Sequence, residues 1–252
     1  IELEENGIHA TCQKPHGAEI HLPFPSVGAT ENVILLAVKA EGETILHGAA
    51  REPEVGELCR FLRSAGARIR GEGTDCIVIE GKQELHDTEF TVMPDRIVAG
   101  TYMLLLAATG GSIRLWEVPV EQLTSLWPVL GAMGVDVRTE GDRVSLARQR
   151  RKPCCLTVET APYPGFPTDL QSPLLAALAG LPGESRITER VFEARFKIVE
   201  ELRKMGADIT LHGETAWIRG KTLQGASLAA RELRGGAALC IAAAGTCGES
   251  RI

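Results

Sequence analysis

The chain has 252 residues, of which 44% are hydrophobic, 4% aromatic and 24% charged, and its formal net charge is −6. This length and apolar content support one large or two small domains with a core of mainly aliphatic side chains. The negative net charge argues against a protein with a strongly basic nucleic-acid-binding face, and no apolar stretch reaches the length of a membrane span.

The sequence offers few signs of cofactors or cross-links. Its seven cysteines include no CxxC pair and no Cys/His ligand spacing, and several, such as Cys59 and Cys240, fall in apolar helical runs, so we predict buried free thiols. Free thiols and the lack of a secretory signal pattern indicate the reducing cytoplasm. We predict neither a metal nor an organic cofactor, since HExxH, P-loop and strand-linked GxGxxG motifs are absent. Residues 148–152, the one basic cluster, are predicted to be a solvated loop without interleaved aromatic residues.

In chain order, a hairpin pattern over residues 1–12 precedes a unit that repeats along the rest of the chain. Strand segments with a shared pattern recur about every 65 to 72 residues, a longer period than that of common solenoids. Each unit predicts an apolar helix, a strand, a second helix and two hairpin strands. The apolar helices are predicted at 26–40, 95–109, 168–181 and 232–246. The second helices are predicted near 53–65, 120–133 and 193–205, and the hairpins at 67–80, 135–146 and 207–219.

The repeat also predicts how its elements pack. A glycine follows each second helix, at Gly66, Gly134 and Gly206, where a left-handed residue ends the helix. The first helices are apolar nearly all round, so we predict that they lie inside and that the sheets lie outside. A proline interrupts a strand pattern at Met93–Pro94, where we predict a domain boundary. The predicted fold class is therefore α/β, built from helix–strand–helix–strand–strand units around buried helices.

Candidate functional residues stand where the first helices begin. Ser26, Asp95 and Asp169 are each suited to cap a helix, and capping is the favoured interpretation for each taken alone. The functional alternative for Ser26, Val27 and Gly28 is that their backbone N–H groups bind an anion such as a diphosphate. Gly28 would then admit the ligand close to the backbone.

Asp169 follows a proline-rich loop, residues 163–167, that would aim its carboxylate at a substrate hydroxyl as a hydrogen-bond acceptor or base. Arg195 and Arg234 are predicted at helix starts, where a cation opposes the helix dipole. That cost points to an anionic ligand, and two guanidinium groups suit a carboxylate. A surface ion pair is the alternative for each arginine.

Three further acidic residues are secondary candidates for the site. Glu52 and Glu54 flank Pro53 at the start of a second helix, and ordinary helix-start chemistry explains both of them adequately. Asp95, at the start of a first helix, is the third. A ligand role is the lesser alternative for all three.

Taken together and in order, seven motifs resemble those of the enolpyruvyl transferases, and among them the branch that acts on UDP-sugars rather than on shikimate 3-phosphate. The motifs are PSVGATEN (25–32), AAREPE (49–54), MPDRIVAGTY (93–102), YPGFPTDLQ (163–171), FEARF (192–196), RKMGADI (203–209) and ELRGGAAL (232–239). They cover essentially the whole chain. The resemblance implies an inside-out α/β barrel fold with two domains. Residues 1–93 would be the C-terminal part of the first domain, and residues 94–252 most of the second, truncated at its end.

The resemblance implies a reaction as well as a fold. Family members of this branch transfer the enolpyruvyl group of phosphoenolpyruvate to the 3-hydroxyl of UDP-N-acetylglucosamine, the first committed step of peptidoglycan precursor synthesis, and release phosphate. Asp169 matches the carboxylate that engages the 3-hydroxyl, and Arg195 and Arg234 match the pair that binds the phosphoenolpyruvate carboxylate. Ser26–Gly28 and Val191 match residues that contact the UDP-sugar. Neither nucleic acid nor a membrane is expected as a partner.

Departures from the family pattern leave a second function open. Ala194 stands where the family usually has Asn, and Glu232 where it usually has Asp. The family's mobile lid, with a Cys or Asp proton donor, is expected upstream of Ile1, so we expect no turnover from these 252 residues alone. The alternative is a UDP-sugar-binding paralogue without activity, although a pure sugar binder has no need of the arginine pair.

Overall fold

The computed structural model describes residues 2–5, 7–148 and 154–252. The chain divides into two compact units, Ile1–Val92 and Met93–Ile252. The division falls beside Pro94, where the interrupted strand pattern indicates a boundary. The assignment of these units to parts of two family domains stays a prediction.

The helices and strands follow the repeating order that the sequence predicts. The described residues form seven α-helices: α1 Val27–Ala37, α2 Pro53–Ser64, α3 Arg96–Thr109, α4 Trp127–Ala132, α5 Gln171–Ala179, α6 Val199–Lys204 and α7 Leu233–Ala244. They also form thirteen strands: β1 Glu2–Glu4, β2 Gly7–His9, β3 Glu19–His21, β4 Glu43–His47, β5 Arg68–Arg70, β6 Cys76–Glu80, β7 Gly111–Leu115, β8 Asp136–Glu140, β9 Arg143–Arg148, β10 Thr157–Glu159, β11 Gly183–Thr188, β12 Asp208–His212 and β13 Thr215–Gly220.

The first unit contains the β1–β2 hairpin and a four-stranded sheet in the order β3-β4-β6-β5. β3 runs parallel to β4, and the other neighbours are antiparallel. Successive side chains of a strand point to opposite faces, so Leu46, Ile77 and Ile79 are fully buried while their neighbours along β4 and β6 are partly exposed. The buried face forms one core with α1 and α2.

The second unit repeats this arrangement. One sheet has the order β10-β11-β13-β12, with β10 parallel to β11, and a three-stranded sheet has the order β7-β9-β8. All nine residues of α5 are buried, and α5 packs against α3 and α7. After Gln171 and Ser172 this helix is apolar on every side and has no face suited to water, so it occupies the centre of the unit. In this unit the prediction of helices inside and sheets outside is confirmed, whereas α1 of the first unit leaves Leu35 and Leu36 exposed.

The glycines after the second helices also behave as predicted. Gly66, Gly134 and Gly206 have φ values of 103°, 77° and 87°, which an L-residue with a Cβ adopts only at a steric cost. Each one lets the chain leave its helix and enter a hairpin strand at once.

Two second helices are shorter than the sequence predicts. The pattern at 120–133 contains a 3₁₀ helix, Val120–Leu123, and then α4, which has Pro128 in its first turn. The pattern at 193–205 is helical only in α6, which begins at Val199. Strands β3 and β10 escaped prediction, because three-residue strands without an adjoining turn motif carry little periodic signal.

Two expectations about burial are wrong. Arg148, expected in a solvated loop, ends β9 and is 2% exposed; its guanidinium donates hydrogen bonds to the carbonyl groups of Met133 at 2.9 Å and Ala107 at 2.5 Å. Residues 149–152 of that basic cluster lie outside the described residues. Cys59 is buried as expected, but Cys240 is exposed, although Leu239 and Ile241 on either side of it in α7 are buried.

Most of the cysteines are exposed, against the expectation of buried thiols. Cys12, Cys155, Cys240 and Cys247 lie at the surface, and all seven thiols are free.

Across the described ranges, no helix combines the length and the apolar character that a membrane crossing requires.

Candidate functional site

The carboxylate of Asp169 joins two arginines from distant parts of the second unit. Asp169 lies in a 3₁₀ helix, Thr168–Leu170, directly before α5. Its Oδ1 accepts a hydrogen bond from Nη2 of Arg195 at 2.6 Å, and its Oδ2 accepts one from Nη2 of Arg234 at 3.0 Å. The carboxylate therefore turns toward the arginines, and the interpretation of Asp169 as a helix cap is wrong.

Arg195 lies in a turn rather than at a helix start. Its α-helix begins four residues later, at Val199, so the predicted conflict between Arg195 and a helix dipole does not arise. The guanidinium lies 4.8 Å from the ring centroid of Phe192, and the side chain is 18% exposed. Stacking on the ring and the ion pair with Asp169 together fix the direction of this cation.

The residue before Arg195 has an unusual backbone conformation. Ala194 has a φ of 54°, in the left-handed region where Asn and Gly are favoured and Ala is not. This is the position at which the chain departs from the Asn of the resembling motif. Arg195 keeps its contact with Asp169 despite that replacement.

Arg234 lies in the first turn of α7, as predicted. Glu232 caps this helix, and its carboxylate accepts hydrogen bonds from the backbone N–H groups of Arg234 at 3.1 Å and Gly235 at 2.6 Å. A longer acid thus fills the capping position where the motif usually has Asp. The cap leaves the Arg234 side chain, which is 24% exposed, directed at Asp169.

The three side chains form a cationic cluster. Two guanidinium groups and one carboxylate leave an excess of one positive charge, and each guanidinium has further N–H donors besides the one that meets Asp169. Planar guanidinium groups bind carboxylates and phosphates through two parallel hydrogen bonds. The cluster is therefore suited to bind a small anion beside a carboxylate that can accept a hydrogen bond.

A buried acid, Glu189, holds the segments that carry Asp169 and Arg195. Glu189 is 2% exposed, and its Oε1 accepts hydrogen bonds from the hydroxyl of Thr160 at 2.8 Å and from the N–H groups of Val191 at 2.9 Å and Phe192 at 3.0 Å. Its Oε2 accepts one from the hydroxyl of Thr168 at 2.9 Å. Sequence reasoning missed Glu189. The available sequence signal was its position directly after the strand pattern that ends at Thr188.

The start of α1, with Ser26, Val27 and Gly28, belongs to the first unit. The Ser26 hydroxyl accepts a hydrogen bond from the Ala29 N–H at 3.3 Å, so Ser26 does cap its helix. Its own N–H donates to the Phe24 carbonyl and is not free for an anion. Val27 and Gly28 keep the orientation of first-turn N–H groups, which lack acceptors within the helix. A Cβ built on Gly28 would meet no atom within 4 Å, so this turn faces open space.

The remaining candidates have structural contacts. Asp95 caps α3, accepting from the N–H groups of residues 97 and 98 at 2.7 and 3.0 Å, which favours the capping interpretation. Glu52 precedes α2 and Glu54 lies in its first turn. Partial burial, and then the charge of Glu54, raise the pKa of Glu31 on α1. The contact that places Val191 is its hydrogen bond to Glu189.

Comparison of the chain with known proteins shows the family to which it belongs. The model of the EPSP synthase (3-phosphoshikimate 1-carboxyvinyltransferase) family matches residues 1–252. The chain is 46% identical over 253 residues to UDP-N-acetylglucosamine 1-carboxyvinyltransferase 2 of Caldanaerobacter subterraneus, covering 99% of the chain and 61% of that protein. It is 43% identical to UDP-N-acetylglucosamine 1-carboxyvinyltransferase of Nitratidesulfovibrio vulgaris, with 100% and 61% covered. The chain thus spans about three fifths of the length of these relatives.

Solved structures agree on the fold. The enolpyruvyl transferase NikO from Streptomyces tendae matches with a TM-score of 0.85 at 26% identity, over 97% of this chain and 61% of that one. EPSP synthase from Acinetobacter baumannii matches with a TM-score of 0.64 at 21% identity, over 93% and 57% of the two chains, which supports the fold alone. The chain therefore belongs to the EPSP synthase family of enolpyruvyl transferases.

Proposed function

We propose that the protein containing this chain transfers the enolpyruvyl group of phosphoenolpyruvate to the 3-hydroxyl of UDP-N-acetylglucosamine in the cytoplasm. This would make it an enzyme of peptidoglycan precursor synthesis. The observation that carries the proposal is the contact of Asp169 with Arg195 and Arg234, which converge from three separate segments. The relatives named for this activity, at 46% and 43% identity, support the choice of substrates.

The cluster suggests a role for each side chain. Arg195 and Arg234 would bind the carboxylate of phosphoenolpyruvate with the N–H donors that Asp169 does not use. Asp169 would accept a hydrogen bond from the sugar 3-hydroxyl and would orient that oxygen toward the enolpyruvyl carbon, with phosphate as the leaving group. The N–H groups of Val27 and Gly28, together with Val191, are the proposed contacts of the UDP-sugar.

The two units suggest where these groups belong in the family architecture. We propose that the first unit is the C-terminal part of one enolpyruvyl transferase domain and that the second unit is most of the other. Two features support this division: the units separate at Val92–Met93, and each repeats the same four-strand order.

A UDP-sugar-binding paralogue without activity is the alternative, and the Asn-to-Ala change at position 194 is the observation in its favour. Ala194 nevertheless holds the left-handed conformation that an Asn would favour, and Arg195 still meets Asp169. Two guanidinium groups could also bind the diphosphate of a UDP-sugar, but the Asp169 carboxylate held between them would repel a diphosphate and suits a hydroxyl that has to react. The geometry therefore favours the transferase.

The test is phosphate release by the product of the gene that encodes this chain, given phosphoenolpyruvate together with UDP-N-acetylglucosamine. We expect release that needs both substrates. Arg234→Ala should raise the KM for phosphoenolpyruvate by at least about tenfold, since it removes one charged anchor. Arg219→Ala is the matched control, because Arg219 is 71% exposed and pairs with Glu184 on the surface.

Two outcomes would overturn the proposal. Tight binding of UDP-N-acetylglucosamine without phosphate release would identify the inactive paralogue. Release that depends on shikimate 3-phosphate rather than on the UDP-sugar would identify the other branch of the family.

A further inference from the structure

We propose that Glu19, His21 and His47 form a binding site for a divalent transition metal such as Zn²⁺ on the outer face of the first unit's sheet. Nitrogen or oxygen atoms of these three side chains all lie within 4.8 Å of one another. The site is independent of the proposed transferase chemistry, in which none of the three residues takes part.

The strand register brings the ligands together. β3 and β4 run side by side in parallel, with His21 directly opposite His47 and Glu19 two residues earlier, opposite Ile45. Residues i and i+2 of a strand share a face, so Glu19, His21 and His47 all project from the same side of the sheet. Leu46, which precedes His47 on β4, is fully buried and packs into the core on the opposite face of the sheet.

The side chains lie close together, and rotation of the imidazole rings would bring both nitrogens to face one metal ion. The imidazole rings stack with their centroids 4.4 Å apart and an angle of 9° between the planes. Both Nε2 atoms approach the same carboxylate oxygen, Oε1 of Glu19, at 2.9 Å from His47 and 3.7 Å from His21. Ligands about 2.0–2.1 Å from a tetrahedral Zn²⁺ are about 3.3 Å apart, so these two separations lie on either side of the required value.

The charge around Glu19 also favours a cation. At the other end of the same sheet face, Arg68 and Arg70 form ion pairs with Glu43 and Glu80. Among the described residues, the ion-pair partners of Glu19 are only the two histidines. With neutral imidazoles, the triad carries one negative charge and offers two nitrogen ligands and one oxygen ligand, a set that Zn²⁺ accepts with solvent in its fourth position.

The experiment is calorimetric titration of the purified chain with Zn²⁺ in a buffer without chelators. We expect a binding step of one equivalent that His21→Ala and His47→Ala each weaken by at least about tenfold, since each removes one of three ligands. His212→Ala in the second unit should leave that step unchanged. His9→Ala is the stricter control, because Glu2, Glu4 and His9 form another exposed acidic group with a single imidazole.

A second measurement needs no variant. Diethylpyrocarbonate modifies accessible imidazoles, and peptide mapping should show that Zn²⁺ protects His21 and His47 but not His212. Absence of a Zn²⁺ binding step, or a step that survives both alanine substitutions, would overturn the proposal. Equal modification of His21 and His47 with and without Zn²⁺ would overturn it too.

Discussion

Helices α3 and α5 both begin near an aspartate that follows a proline, yet the two carboxylates have different partners. Asp95 accepts hydrogen bonds from the N–H groups of its own first turn. Asp169 lies one residue further from its proline, in a 3₁₀ turn, and meets Arg195 and Arg234 instead. An aspartate at a helix start therefore caps its own helix where the backbone N–H groups of the first turn reach the carboxylate. It forms ion pairs instead where arginines from distant segments reach it.

Substitution of Asp169 should have the largest effect. In the product of the encoding gene, Asp169→Ala should lower kcat by about a thousandfold, the usual scale for a group at the reacting hydroxyl, while the Kd for the UDP-sugar changes little. Steady-state kinetics and sugar titration measure the two quantities. An equal loss of sugar binding and turnover would make Asp169 a simple sugar anchor.

Substitution of the buried acid Glu189 should have the next largest effect, on the stability of the fold. Glu189→Ala should lower the free energy of unfolding by about 3 kcal/mol, because it leaves buried hydroxyl and N–H donors without their acceptor. Urea denaturation of the second unit measures this loss. Glu184→Ala on the preceding strand, β11, is the control, and it should cost less than about 0.5 kcal/mol because Glu184 is exposed. A similar cost for both substitutions would show that Glu189 does not hold the site together.

Substitution of the capping residue Asp95 should lower stability and leave turnover nearly unchanged, the reverse of the effect expected at Asp169. Asp95→Ala should reduce stability by about 1 kcal/mol through loss of the cap, with kcat within about twofold of the unchanged protein. Asp95→Asn keeps an acceptor at the cap and should restore most of the stability. A large loss of kcat in Asp95→Ala with unchanged stability would show that Asp95 acts in the reaction rather than as a helix cap.

Substitution of Ala194, in the turn before Arg195, should have a smaller effect, and it should stabilise the protein. Ala194→Asn should raise the free energy of unfolding by roughly 0.5–1 kcal/mol, because Asn tolerates the left-handed conformation better than Ala does. Thermal or urea denaturation detects this gain. If the variant is no more stable, then the backbone strain at position 194 does not contribute to stability.

The smallest effect concerns the start of α1, where Glu31 has a raised pKa because of partial burial and the charge of Glu54. A carboxyl group with a raised native pKa stabilises the fold at acid pH, and this contribution is lost as the pH rises through that pKa. Glu31→Gln should therefore be more stable than the unchanged protein at pH 7, with the difference disappearing below the ordinary glutamate pKa of about 4. Urea denaturation at several pH values tests this, and a pH-independent difference would contradict it.

Much of the fold could be predicted because it depends on local patterns. Apolar runs such as Leu104–Ala108 have to be buried, and Gly134 and Gly206 supply the left-handed residues that end the second helices. The candidate site was harder to predict. Asp169, Arg195 and Arg234 were named from motifs. Glu189 went unnoticed because its carboxylate accepts hydrogen bonds from Val191 nearby and from Thr168 on a separate segment, and only the fold brings Thr168 to it.

The sequence by itself determined the order of the elements, the buried helices and the positions of the turns, since each follows from the periodicity and the conformational preference of neighbouring residues. Tertiary structure decided which side chains meet. Asp169 contacts partners 26 and 65 residues away, and His21 meets His47 only because β3 and β4 pair in one register. A carboxylate at a helix start can accept from its own backbone or from a distant cation, and only the packed chain brings that cation within reach.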